Sequence, residues 1–333
     1  MSEKWSVQKA NDWYASLACI RGCNYLPRTA INSTEMWQSS TFDPTTIDQE
    51  LGWAKAVGYN SVRVFLQFLV WESDPVGLKE RMKQFLTIAN QHQISTMFIL
   101  FDDCAFANKE PYLGPQDDPL PGIHNSGWTP SPGLQRVTDR SVWQKLEEYV
   151  VDIISAFGND QRVIVWDLYN EPGNSNLGDR SLQLVEATFE WARNANPQQP
   201  ITIGVWRPAP EYDDAMSNRL FELSDIITFH CYRKEDVQQA VNRCAAFGRP
   251  IICTEWLHRR FGQMMETALP VFSRGKVGWY NWGFVAGRTQ TYLDWRQEEN
   301  KDAFTIWQHD ILHADGTPYD NKEIIQIQTF RFE

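Results

Sequence analysis

The chain has 333 residues, 42% of them hydrophobic, enough to bury a large core in one barrel-sized domain. Lys and Arg total 31 against 42 Asp and Glu, and the formal charge of −11 argues against nucleic acid or an anionic membrane surface as partner. No stretch approaches the length of a transmembrane helix.

In chain order, the opening MSEKWSVQKANDWYASLACI holds no apolar run long enough for a signal peptide. Short β-branched or aromatic runs then recur near 18–24, 60–66, 94–102, 163–170, 200–206, 225–230, 249–255 and 276–282. Helical periods fill most of the gaps. Ile47, Leu51 and Ala54 share a face between Asp43-Pro44 and Gly58, followed later by Leu78, Met82, Phe85 and Ala89. Val142, Leu146, Tyr149 and Ile153 repeat the pattern, as do Leu182, Val185 and Phe189, then Val237, Val241 and Cys244. Eight nearly continuous apolar strands separated by helices predict a parallel sheet covered by helices, closed as a single-domain (β/α)₈ TIM barrel over residues 1–333. An open doubly wound sheet has no GxGxxG or P-loop glycine run to serve it.

One connection is far longer than the rest. Residues 103–140, rich in Pro and Gly and without periodicity, follow the third strand and are expected to lie over the active-site face as a functional loop or a structural flap. His124, Asn125 and Trp128 within it are candidate substrate contacts. The six cysteines (Cys19, Cys23, Cys104, Cys231, Cys244, Cys253) show neither disulfide-framework nor CxxC spacing, so a reduced, cytoplasmic protein is expected.

The chemistry is concentrated at strand ends. Glu171 closes VIVWDLYNEP and Glu255 closes PIICTE, and rigid strands hold such carboxylates at fixed places. Two carboxylates facing one another across a sugar ring are the minimum equipment for breaking a glycosidic bond. Asp102, Asn170, His230 and Trp282 fall at strand ends as well, where barrel active sites are built. A structural salt bridge is the competing reading of the glutamates, and a hydrogen-bonded barrel histidine that of His230.

Asn170-Glu171-Pro172 on the fourth strand, Glu255 on the seventh, Arg63 on the second, His230-Cys231-Tyr232 after the sixth and Trp282 on the eighth together resemble clan A of the glycoside hydrolases. They are most similar to the cellulase-like family 5 or a divergent relative of it. The resemblance implies a retaining β-glycosidase with Glu171 as general acid/base and Glu255 as nucleophile. It further implies that Arg63 and Tyr232 hold Glu255, Asn170 bonds the sugar 2-hydroxyl and Trp282 lies beneath the ring. It leads one to expect a histidine after the third strand; the chain has Asp102-Asp103-Cys104 there.

Among fifteen tryptophans, Trp37, Trp71, Trp128, Trp206, Trp256 and Trp282 lie at or near strand ends or mouth loops, and two or three of them are expected to meet sugar. No cofactor and no catalytic metal is expected, since the first strand reads CIRGCN rather than His-x-His and the chain has only six histidines. A non-enzymatic sugar-binding barrel would need the aromatics but not both carboxylates. Arg207, Arg233, Arg259, Arg260 and Arg288 follow strands five to eight, which would suit a uronic-acid sugar or simply balance nearby acids.

Overall fold

The computed structural model describes residues 3–208, 215–295 and 306–333. Eight parallel strands, β1 (Arg21–Asn24), β2 (Ser61–Phe65), β3 (Ser95–Asp102), β4 (Val163–Asn170), β5 (Ile201–Gly204), β6 (Ile227–His230), β7 (Ile251–Glu255) and β8 (Gly278–Asn281), form one sheet. Their order is β5-β4-β3-β2-β1-β8-β7-β6, and a parallel bridge between Val205 and Phe229 brings the two edges together into a barrel. Helices cover the outside while side chains fill the inside, so β2, β5, β6, β7 and β8 are buried at every residue. Burial on both faces is why these strands read as unbroken apolar runs rather than alternating ones.

The helices begin and end where the sequence signals place them. Asp43 accepts a hydrogen bond from the Thr46 amide, Pro44 takes the first helical position, and Gly58 at φ +104° ends the Pro44–Val57 helix. Asp74 caps the helix Pro75–Gln91 through the Gly77 amide in the same way. The predicted helical faces lie in Trp143–Phe157, Leu182–Asn194 and Val237–Ala245, except that Val142 stands at the N-cap of the first. Helices Ala215–Leu223 and Met265–Arg274 complete the alternation. The second carries Pro270 inside it, which masks its apolar face of Met265, Ala268, Leu269 and Phe272 from a reading by helix breakers. The 103–140 connection is not wholly irregular, since it contains a short helix at Leu134–Thr138.

A small cluster of Trp5, Ala10 and Ile20 with Met97, Val165, Ile252 and Tyr280 joins the N-terminal segment to side chains of β3, β4, β7 and β8. Within the barrel the Tyr280 hydroxyl lies 2.8 Å from Ser61 Oγ. Gly22 makes that packing possible, because a Cβ there would stand 2.5 Å from both the Ser61 carbonyl oxygen and the Tyr280 ring. Gly22→Ala should therefore overpack the barrel and lower stability by about 1–3 kcal/mol, read as an earlier denaturant midpoint at unchanged slope. An unaltered midpoint would show that β1 and Tyr280 can separate without cost.

Candidate active site

The carboxyl ends of β1, β2, β4 and β7 converge on one buried guanidinium. Arg63 is fully buried, and its Nη1 donates to Glu255 Oε1 at 2.8 Å and to Asn24 Oδ1 at 2.7 Å. Its Nε and Nη2 both donate to Asp167 Oδ2, at 3.0 and 2.7 Å, and Nη2 donates also to Asn170 Oδ1 at 2.6 Å. The other oxygen of Glu255 accepts from the Tyr232 hydroxyl at 2.7 Å.

Glu171 adopts φ +46°, a left-handed conformation unusual for a side chain of its size, and its amide donates to the Gly204 carbonyl at 3.0 Å. Its Oε1 lies 2.6 Å from His230 Nδ1. Its Oε2 accepts from Asn174 Nδ2 at 2.5 Å and from the Cys104 thiol at 3.1 Å. One oxygen from each of Glu171 and Glu255, with a nitrogen of His230, fall within 4.8 Å of one another.

The two carboxyls share a buried site but not the same surroundings. Burial pushes Glu171 above the ordinary carboxylate range, opposed by its contacts with the neutral Cys104 and Asn174 and more weakly by Arg63 at a distance. Burial pushes Glu255 up as well, with the Glu171 charge acting in the same direction and His230, the Arg63 cation and the Tyr232 hydroxyl opposing it. Burial lowers His230 to about 4, so its ring is neutral near pH 7. Below the pair, Asp102 is raised by burial to about 6, and it accepts from Asn170 Nδ2 at 2.9 Å and Trp128 Nε1 at 2.8 Å.

A cavity of about 430 Å³ opens over both glutamates, walled by Trp128, Trp282, Trp295, His124 and Tyr232. Trp128 and Trp282 meet edge to face with centroids 5.7 Å apart. Thus Glu171, Glu255, Asn170, Tyr232, Trp282, Trp128 and His124 line one cavity, while Arg63, His230 and Asp102 support it from below. Of the six tryptophans named at or near strand ends or mouth loops, two or three of them expected to meet sugar, three are structural. Trp37 and Trp256 are fully buried in the core, and Trp71 is buried with its Nε1 donating to Asp152. Trp37 packs against Phe42, Phe85 and Phe98, burial that its place in the 30–40 segment gave no means of reading. Of the five arginines, Arg259 pairs with Glu323, Arg260 with Asp294, and Arg288 with Glu35 and Asp118, so these three balance nearby acids. Arg207 and Arg233 line cavities beside Trp206 and Tyr232.

Asn24, Asp167, Cys104, Asn174 and Trp295 belong to the site and escaped the sequence reading. Asp167 had a signal, a lone acid in the middle of an apolar strand, where an inward-facing charge needs a partner. Cys104 lies in the Asp102-Asp103-Cys104 segment found where the resemblance led one to expect a histidine after the third strand, and its thiol reaches Glu171.

The family model for cellulase (glycosyl hydrolase family 5) matches residues 32–311. The chain belongs to glycosyl hydrolase family 5. Solved structures of similar fold are remote in sequence. GH5_18 from Streptomyces cattleya, in complex with GlcNAc, aligns at 14% identity and TM-score 0.62 over 93% of this chain and 80% of its own. The exo-β-1,4-mannosidase Op5Man5 from Opitutaceae bacterium strain TAV5 aligns at 15% identity and TM-score 0.65, over 93% of this chain and 59% of its own. The endo-1,4-β-D-mannanase from Thermotoga petrophila RKU-1, with maltose and glycerol, aligns at 12% identity and TM-score 0.59, over 94% and 98% respectively. Among curated protein sequences none matches.

This family 5 site depends on close backbone approach at β5. A Cβ on Gly204 would lie 2.9 Å from His230 Nε2, 3.1 Å from Arg63 Nη2 and 3.3 Å from Asn170 Oδ1. Gly204→Ala should thus displace the groups around both glutamates while the fold persists. The expected result is a fall in kcat/KM on the order of 10²-fold on an aryl β-glycoside, with a native circular dichroism spectrum. Undiminished turnover would show that the strand-end network tolerates displacement.

Proposed function

We propose that this family 5 chain is a retaining β-glycosidase in which Glu255 is the nucleophile and Glu171 the general acid/base. The observation that carries the reading is the close pair of buried carboxyls with unequal partners, a cation and a phenol on Glu255 against neutral donors on Glu171. Inverting enzymes keep their carboxyls about 6.5–9.5 Å apart to admit a water between them, whereas retaining ones stand at about 5–5.5 Å.

In the first step a Glu255 oxygen bonds to the anomeric carbon as the C–O bond to the leaving group breaks, and the Glu171 proton passes to the departing oxygen. Glu171, now ionised, takes a proton from water, whose oxygen attacks the anomeric carbon and releases Glu255. Arg63 keeps Glu255 charged and oriented beforehand. Asn170, fixed by Arg63 and Asp102, is placed to bond the sugar 2-hydroxyl, and Trp282 offers an apolar face to the ring. Neutral His230 contacts Glu171 without adding a charge that would strip its proton.

The substrate class is β-linked sugar. Fold alone does not choose among glucosides, mannosides, xylosides and galactosides. Similar folds include proteins named as β-1,4-mannosidase, β-1,4-mannanase and a GH5_18 variant in complex with Manβ1-4GlcNAc, so aryl β-mannosides head the screen. The ion pairs of Arg259, Arg260 and Arg288 remove most of the support for a uronic-acid substrate.

Glu255→Ala should abolish turnover. Glu171→Ala should still form the glycosyl-enzyme from substrates whose leaving groups need no proton, and external azide should accelerate its breakdown with retention of anomeric configuration, followed by NMR. An inverted first-formed product would end the nucleophile assignment. Because Glu171 is held above the ordinary range, the alkaline limb of kcat/KM should follow loss of its proton. The Asn174 amide and Cys104 thiol favour the ionised form, so Asn174→Ala and Cys104→Ala should each move that limb to higher pH. A shift to lower pH would contradict the placement of the proton.

A further inference from the structure

The cavity over the two glutamates is closed on one side and continues on the other. The closure is made by the long connection after β3, which reaches across the mouth to the chain after β8. The Asn125 amide donates to the Thr289 carbonyl at 2.7 Å, and Gln290 Nε2 donates to the carbonyls of Leu120 at 2.8 Å and Ile123 at 3.2 Å. His124 Nδ1 lies 2.9 Å from the Leu293 carbonyl oxygen, and Arg288 pairs with Asp118 at 3.1 Å. The same connection is tied to the segments after β1 and β2, through Asn32 Nδ2 to the Gly127 carbonyl at 2.9 Å and Gln67 Nε2 to the Pro130 carbonyl at 3.1 Å. Since β1 and β2 lie between β8 and β3 in the sheet, these bonds wall the mouth above all four strands.

The inner face of this wall is aromatic and fixed. Trp128 is held by its Nε1 bond to Asp102, stands edge to face with Phe65 at 4.9 Å and meets Trp282 in the same way. On the opposite side the cavity runs past Glu171. Ala105, Ala107 and Asn174 line both it and a second cavity of about 680 Å³, which extends over Trp206, Arg207 and Met216.

We infer that the enzyme is exo-acting and removes one sugar at a time from the non-reducing end of a β-linked oligosaccharide. The inference rests on the glycosidase reading above. A ring whose anomeric carbon faces Glu255 has its leaving oxygen at Glu171, so everything beyond that oxygen lies in the cavities of about 680 and 470 Å³ that continue the first one past Asn174 and Glu171. Carbon 4 of the ring is diametrically opposite the anomeric carbon and, with the ring on Trp282, points into the wall of Trp128 and His124. A further sugar at that position would have to pass through the wall. The acceptance of long leaving groups and the refusal of anything beyond the terminal ring are therefore two results of one geometry.

The test uses the wild-type chain and the sugar whose aryl β-glycoside it hydrolyses. Three substrates are compared: that aryl monoglycoside, the β-1,4-linked pentasaccharide with its reducing end reduced to the alditol, and the same pentasaccharide 4-O-methylated on its non-reducing terminal sugar. Products are followed by mass spectrometry before a tenth of the substrate is consumed. The expected result is free monosaccharide with the shortened alditol as the sole first products, and loss of cleavage on methylation. Disaccharide or larger fragments among the first products, or cleavage of the methylated substrate at the unmodified rate, would overturn exo action while leaving the hydrolase intact. Hydrolysis of β-linked oligosaccharides but of no aryl β-glycoside in the screen would overturn exo action alone, whereas failure to cleave either class would overturn the glycosidase reading, and exo action with it.

Discussion

The site is organised by a guanidinium with no access to solvent. Arg63 gathers β1, β4 and β7 onto β2 through Asn24, Asp167, Asn170 and Glu255. Taking such a charge out of water costs several kcal/mol, and only close, well-oriented acids offset it. Asp167 supplies one buried carboxylate, and Glu255 supplies the other. The proposed nucleophile is thus also a counter-ion within the barrel, and its position is fixed by the same balance that lets Arg63 be buried at all.

From that pairing the difference between the glutamates follows. Arg63 has no donor left for Glu171, which stands instead among an amide, a thiol and a neutral imidazole. Burial raises both carboxyls, and their different partners give two otherwise equal side chains different surroundings. The left-handed backbone at Glu171 stands one residue past the point where β4 ends.

The barrel and its long loop divide the labour. Strand ends set the reacting groups, and a segment tied to the chain after β1, β2 and β8 sets the shape around them. Side-chain bonds such as Gln290 to Leu120 and Ile123 make the loop part of the wall rather than a free flap. Family membership is compatible with either internal or terminal cleavage, and the difference lies in this wall.

Much was legible from the chain alone because periodicity and strand-end chemistry are local properties. The eight apolar runs, the Asp43-Pro44 start, the Gly58 stop, and the glutamates closing β4 and β7 all appear in short windows of sequence. What tertiary structure decided depends on residues far apart in the chain. Trp37 and Trp256 had the positions of mouth residues and proved to be core, because burial is set by what packs over a side chain rather than by its place along a strand. Asp167 and Asn24 gained their roles only when the barrel closed around Arg63, and Cys104 only when β3 and β4 lay side by side. The sequence by itself determined the barrel and the identity of its paired carboxylates. The folded structure alone decided their unequal surroundings and the closed side of the cavity, because both depend on contacts between different barrel units, such as Arg63 with Glu255 and Gln290 with Leu120, that no local pattern records.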